Sequence, residues 1–148
     1  MSRFSPEVED VLRGAGWSPE RQVDVAGWTS LFEAEGLPAH QAATDFLREF
    51  GGLAVHRGEP GQEGKAKAKE SFEFNPSLCE GEGDLFLTWA EELERQLFPL
   101  GELDRGRFYL AIDENAEIYL VEAWAASFGA MPAAIENLVL GNEPTEVG

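Results

Sequence analysis

Arg107-Phe-Tyr-Leu-Ala-Ile-Asp-Glu-Asn-Ala-Glu-Ile-Tyr-Leu-Val121, RFYLAIDENAEIYLV, is the stretch whose reading decides the fold. Two runs rich in aromatic and β-branched residues, Arg107 to Ile112 and Glu117 to Val121, flank the turn-forming Asp113-Glu114-Asn115-Ala116. Such residues suit a pleated, half-buried surface, and the polar tetrapeptide suits a tight reversal, so the pattern predicts an antiparallel hairpin. A competing reading takes DENAEIYLVEAW as a calcium loop, with Asp113, Asn115 and Glu117 at positions 1, 3 and 5. It fails because Ile118 stands where the loop needs glycine, and Trp124 where it needs a bidentate glutamate.

Working outward, the flanks alternate between helical and extended patterns. Upstream, Asp84 is read as the cap of a helix with Phe86, Trp89, Ala90, Leu93 and Leu97 on its apolar face, stopped by Pro99. Ser71 to Asn75 alternates as a strand that Pro76 ends, and residues 57–70 read as an exposed, mobile loop holding all three lysines. Ala39, Ala42, Ala43, Phe46, Leu47 and Phe50 fall at i, i+3, i+4, i+7, i+8 and i+11, the clearest helix in the chain. Gly51 and Gly52 follow that helix and precede the strand Leu53 to Val55. Phosphate-cradling glycines lie before a helix, at its positive end. This pair lies after one, so Gly51 is read as the left-handed closing residue and Gly52 as relief for the turn.

Further upstream, Val25 to Glu35 reads as a short helix burying Trp28, Leu31 and Phe32. Ser5, Pro6 and Glu7 begin the first helix as cap, first-turn proline and dipole-facing acid, and Gly14 and Gly16 end it near Trp17. Downstream, Pro132 to Leu140 reads as a last helix closed by Gly141, with 142–148 as a frayed tail. Helices first, strands later and hairpin connections predict an α+β fold on a central, mostly antiparallel sheet flanked by helices.

A chain of 148 residues, 43% hydrophobic, with ten Phe and four Trp, fits one domain over 1–148 with a core from about 5 to 141. MSRFSPEVEDVL lacks the basic and apolar regions of a signal peptide, and no apolar run is long enough to span a membrane. A single cysteine, Cys79, suits a reducing cytoplasm. Charge is uneven: residues 1–69 carry 11 acidic and 8 basic side chains, a net of −3, and residues 70–148 carry 17 and 3, a net of −14. Such a field repels nucleic acid and anionic membranes and steers basic partners inward.

Catalytic and metal chemistry finds no pattern to stand on. Gly58 to Lys65 mimics a P-loop, but five residues separate Gly58 from Gly64 where four are needed, and Ala66 replaces the magnesium-binding hydroxyl. His40, His56 and Cys79 lack the short spacings of a zinc site. They are equally scattered as a nucleophile and base. The reading is a binding protein with no catalytic residues, no cofactor and no metal.

Five segments, LRGAGWSPERQVD (12–24), FLREFGGLAV (46–55), FPLGEL (98–103), YLAIDENAEIYLVE (109–122) and AIENLVLG (134–141), stand in an order that resembles the third subgroup of the SUKH superfamily. That subgroup comprises immunity proteins of bacterial polymorphic-toxin systems, and the resemblance runs from about Val8 to Gly141. It implies an α+β fold and a non-catalytic protein that binds and neutralises a cognate toxin, often a nuclease. The family's recurring positions fall on Gly16, Trp17, Arg21, Gly51, Gly52, Leu53, Gly101, Asp113 and Gly141, and the resemblance implies structural roles for them. The family's hairpin usually carries glycine where Ala116 stands, so a left-handed Asn115 is expected to rescue the turn.

Charge and resemblance converge on a basic toxin. A nuclease needs a basic groove for phosphates, and an acidic inhibitor would fill it under electrostatic steering. The candidate contacts are Glu91, Glu92, Glu94, Glu102, Asp104, Asp113, Glu114 and Glu117, with Tyr109 or Tyr119 as an aromatic anchor. A non-enzymatic adaptor of the same fold with a non-toxin partner is the alternative.

Overall fold

The computed structural model describes residues 3–56 and 71–147; the expected loop at 57–70 lies outside them. The hairpin is its centre. β4 (Phe108–Ile112) and β5 (Glu117–Val121) pair antiparallel, Ile112 facing Ile118 and Tyr109 facing Val121. β3 (Phe98–Leu103) pairs with β4, β2 (Phe72–Glu73) with β3, and β1 (Ala54–Val55) with β2. On the other side β6 (Ala125–Ala130) pairs with β5, and β7 (Thr145–Val147) with β6. All pairings are antiparallel, and the sheet runs β1 to β7 in chain order.

Register divides the sheet into two faces, because paired residues share a side and neighbours alternate. Phe98, Ile112, Ile118 and Leu110 lie on one face; Tyr109, Ala111, Tyr119 and Val121 lie on the other. α2 (Ala26–Glu33) sets Phe32 edge-on to Phe98 at 5.5 Å, on the first face. α3 (Gln41–Phe50) adds Phe46 and Phe50, packed on Phe74 at 5.0 and 6.5 Å. α4 (Gly83–Leu93) sets Phe86 on Tyr109 at 6.0 Å, on the second face. The sheet is therefore flanked by helices, as an α+β fold requires.

α1 (Pro6–Gly14) begins as its sequence dictates, with Ser5 Oγ accepting from the Val8 amide at 3.4 Å, and buries Val8 and Leu12. It meets α5 (Ala133–Leu140) where the Ser5 amide donates to Glu136 Oε2 at 2.8 Å. α3 is capped by His40, whose Nδ1 accepts from the Ala43 amide at 3.2 Å. The His40 Nε2–H reaches the Ile112 carbonyl at 3.2 Å, tying the helix to β4. Phe32, Phe50, Phe74, Phe86 and Phe98 are each under 2% exposed. Each stabilises the fold by about 1.5–3 kcal/mol relative to exposure.

Five expectations need correction. Gly51 has φ −61, not a left-handed value; Gly52, at φ +87, makes the left-handed turn. Gly51 is small for a different reason: a Cβ there would lie 2.5 Å from the Leu47 carbonyl oxygen and 2.6 Å from the Trp28 ring. Asp84 is inside the first turn of α4, and Glu82 precedes the helix as its cap position. That helix stops at Leu93, with Glu94 in the left-handed region at φ +56, well before Pro99. FPLGEL is itself a strand, its proline at a register shift between Pro99 and Gly101 where a missing N–H is tolerated. The tail is not frayed throughout, since Thr145–Val147 forms β7.

Candidate partner-binding surface

The eight acids singled out by sequence do not form one cluster. Glu91 and Glu92 occupy the last turn of α4 and Glu94 its C-cap, all exposed. Glu114, also exposed, joins them: its Oε1 accepts from the Gln96 amide at 2.9 Å, which holds its carboxyl below the usual range. α4 has no basic residue in its last turn, so these acids face the negative end of the helix dipole. For Glu91, Glu92 and Glu94 that placement is unfavourable, and Arg95, just past the cap, offsets part of it by donating from Nη1 to the Glu94 carbonyl at 3.1 Å.

Asp113 is a correction. It is fully buried, and a buried carboxylate cannot meet a partner across an open surface. Its Oδ1 accepts from the Asn115 and Glu117 amides at 2.8 and 2.9 Å, its Oδ2 accepts from the Tyr119 hydroxyl at 2.8 Å, and Arg95 Nε lies 3.5 Å away. Tyr119 is correspondingly 4% exposed, its phenol pushed up by burial and then by Asp113, and offers no anchor to a partner. Glu117 is half-buried and holds the Ser127 hydroxyl. The structural role implied for Asp113 is the one it has. The left-handed residue of the turn is Ala116, at φ +64, not Asn115.

Glu102 and Asp104 lie at the opposite end of β4, about 16 Å from the hairpin turn by the rise of a five-residue strand. Glu102 sits directly across from Glu73 of β2, and burial, then Glu73, raises its carboxyl. Asp104 Oδ2 pairs with Arg107 Nη1 at 3.6 Å. Tyr109, between the ends, is half-buried against Phe86.

Sequence reasoning missed the aromatic at that far end. Trp124, 41% exposed, lies in the turn from β5 to β6 with its ring edge-on to Phe108 at 5.8 Å. An isolated tryptophan after a strand reads as core by composition, and only the turn geometry puts it outside.

Chemistry of other kinds finds little support among the described residues. No group of three or more His, Cys, Asp or Glu there is arranged to hold a metal ion. Cys79 is buried, its Sγ donating to the Gly101 carbonyl at 3.3 Å, and burial pushes its thiol up, away from the reactive thiolate. Both ring nitrogens of His40 are engaged in holding α3. No helix among the described residues is long and apolar enough to cross a membrane. A family model described as SUKH-3 immunity protein matches residues 4–141. No curated protein and no solved structure matches the chain.

Proposed function

Because the chain belongs to the SUKH-3 immunity protein family, a family of toxin immunity, we propose that it neutralises a basic, nuclease-type toxin domain by occluding its phosphate-binding groove. It does so in the cytoplasm without catalysis, cofactor, or direct contact with nucleic acid or membrane. The observation that carries this is the exposed set of Glu91, Glu92 and Glu94 at the end of α4 and Glu114 of the adjoining hairpin turn, where Asp113 is buried. Glu91, Glu92 and Glu94 stand at the negative end of the helix dipole, where negative charge does not favour the fold. A basic groove laid over them relieves the unfavourable dipole interaction and desolvates a complementary patch. Glu102 and Asp104 extend the field across the sheet, and Glu117 adds to it from the hairpin.

Steering by exposed charge makes the association rate salt-dependent, since interactions are screened beyond about 8 Å at 0.15 M. Surface-binding kinetics against the toxin domain encoded beside this chain test the proposal. Reversing Glu91, Glu92 and Glu94 to lysine should slow association on the order of ten-fold at low salt, with the effect shrinking as salt rises. The same reversal at Glu7, Glu9 and Asp10 of α1 should slow it far less. Equal effects from the two triples, or an association rate indifferent to salt, would falsify the acidic interface.

A further inference from the structure

Among the described residues, Trp124 is the most exposed of the large apolar side chains, at 41%. Trp17 is buried with its indole N–H on Glu49, and Trp28 and Trp89 are half-buried. Trp124 sits in a tight turn in which the Glu122 amide donates to the Trp124 carbonyl at 2.9 Å. Its ring stands at 71° to that of Phe108, itself half-buried at the start of β4. The fold thus holds a large aromatic surface in a fixed orientation without covering it. Anchors of this kind bind well because little side-chain entropy remains to be lost.

The surroundings say what kind of partner fits. Trp89 of α4 donates from its indole N–H to the Glu122 carbonyl at 2.9 Å, which fastens the Trp124 turn to the flank of that helix. Glu92, exposed, lies one turn beyond Trp89 on the same flank, and Glu122 itself is half-buried beside the tryptophan. A second copy of the chain would bring −17 against −17. A basic surface meets Glu92 and Glu122 instead, while exposed Arg107, next to Phe108, is paired with Asp104 at 3.6 Å. A standard interface covers about 800 Å² per partner, wide enough to span the sheet from Glu114 to Trp124.

We propose that Trp124, braced by Phe108, is the apolar anchor that retains the basic toxin domain after the acidic residues have steered it in. This rests on the immunity reading above. The division of labour is between rates: the acids set association and the tryptophan sets dissociation.

The test measures binding kinetics and melting temperature for Trp124→Ala, Ala123→Arg and Leu78→Ala, against an inactivated form of the toxin domain encoded beside this chain. Trp124→Ala should dissociate at least about 30-fold faster with association nearly unchanged. Ala123→Arg, at an exposed neighbour, should weaken binding by repelling a basic partner. Leu78→Ala, which truncates another exposed apolar residue, should behave as wild type. Dissociation of Trp124→Ala no faster than that of Leu78→Ala overturns the anchor and leaves the immunity reading standing. Should Trp124→Ala melt early, Ala123→Arg decides, and wild-type affinity there overturns the anchor too. A wild-type chain that fails to bind the toxin domain removes both the anchor and the reading beneath it.

Discussion

The two ends of the β4–β5 pair are built in opposite ways. At the turn end, two backbone amides and a phenol converge on the buried Asp113, with Arg95 alongside. At the other end, Trp124 lies open on Phe108, beside a turn that carries Glu122. At the first end Asp113 and Tyr119 direct their polar atoms inward and fix the geometry of the chain; the second leaves an aromatic face uncovered. An acid and an aromatic occur at each end, and their identities alone do not tell which serves the fold and which serves a partner. Burial does. Substitution of Asp113 or Tyr119 should move stability, and substitution of Trp124 should move binding.

The most severe way to break this contrast is Asp113→Ala. It strands the Asn115 and Glu117 amides and the Tyr119 hydroxyl, so unfolding by urea should show a loss of about 3–5 kcal/mol, with toxin affinity of the folded fraction little changed. A loss under about 1 kcal/mol would mean that the turn end is not held by this carboxylate.

A smaller effect sharpens it through pH. Burial and Asp113 raise the Tyr119 phenol, so the native state holds that proton more tightly than the unfolded chain, whose phenol titrates near 10. The corresponding stability is fully present below about pH 10 and is lost as pH climbs above it. Buried Cys79, also raised, acts in the same direction from about pH 8.5, so the comparison belongs in a Cys79→Ala background. There, Tyr119→Phe should cost about 1 kcal/mol at pH 7 and flatten the alkaline decline. An unchanged alkaline slope would detach the phenol from the network.

The smallest expected effect is a gain. Ala116 holds φ +64, a conformation that costs an L-residue roughly 1–2 kcal/mol, so Ala116→Gly should raise the denaturation midpoint by an amount worth about 0.5–1 kcal/mol. A drop would show that the alanine methyl, which packs against the core, outweighs the backbone strain.

Helical periodicity and cap chemistry survive translation from sequence to structure best. Ser5 caps α1, and the apolar stripe of α3 is its buried face, because local hydrogen bonds and one-sided burial are both encoded within a few residues. The hairpin was legible for the same reason. β3 was not, since Pro99 read as the stop of the preceding helix; only the assembled sheet shows Gly101 leaving room for the Glu73 carbonyl, 1.9 Å from where a Cβ would stand. β6, AASFGA, lacks the bulky alternation that marks a strand, and takes its form from β5 beside it. Of the candidate site, the exposed acids of α4 were legible through helical spacing. Asp113 was misjudged as a contact because an acid in a turn looks the same in sequence whether it points out or folds back onto its own amides. Trp124 left no signal at all.

The contact between Ser5 and Glu136 spans 131 positions of the chain, whereas the sheet joins each strand to its predecessor. The strands thus form a ladder of neighbours, and the Ser5–Glu136 contact joins the chain before that ladder to the helix near its far edge. α1, before the first strand, is held to α5, after the sixth, where the Ser5 amide meets the Glu136 carboxylate. A ladder of neighbours tolerates loss at either edge, whereas a clasp between its two flanks fails as a whole once one partner goes.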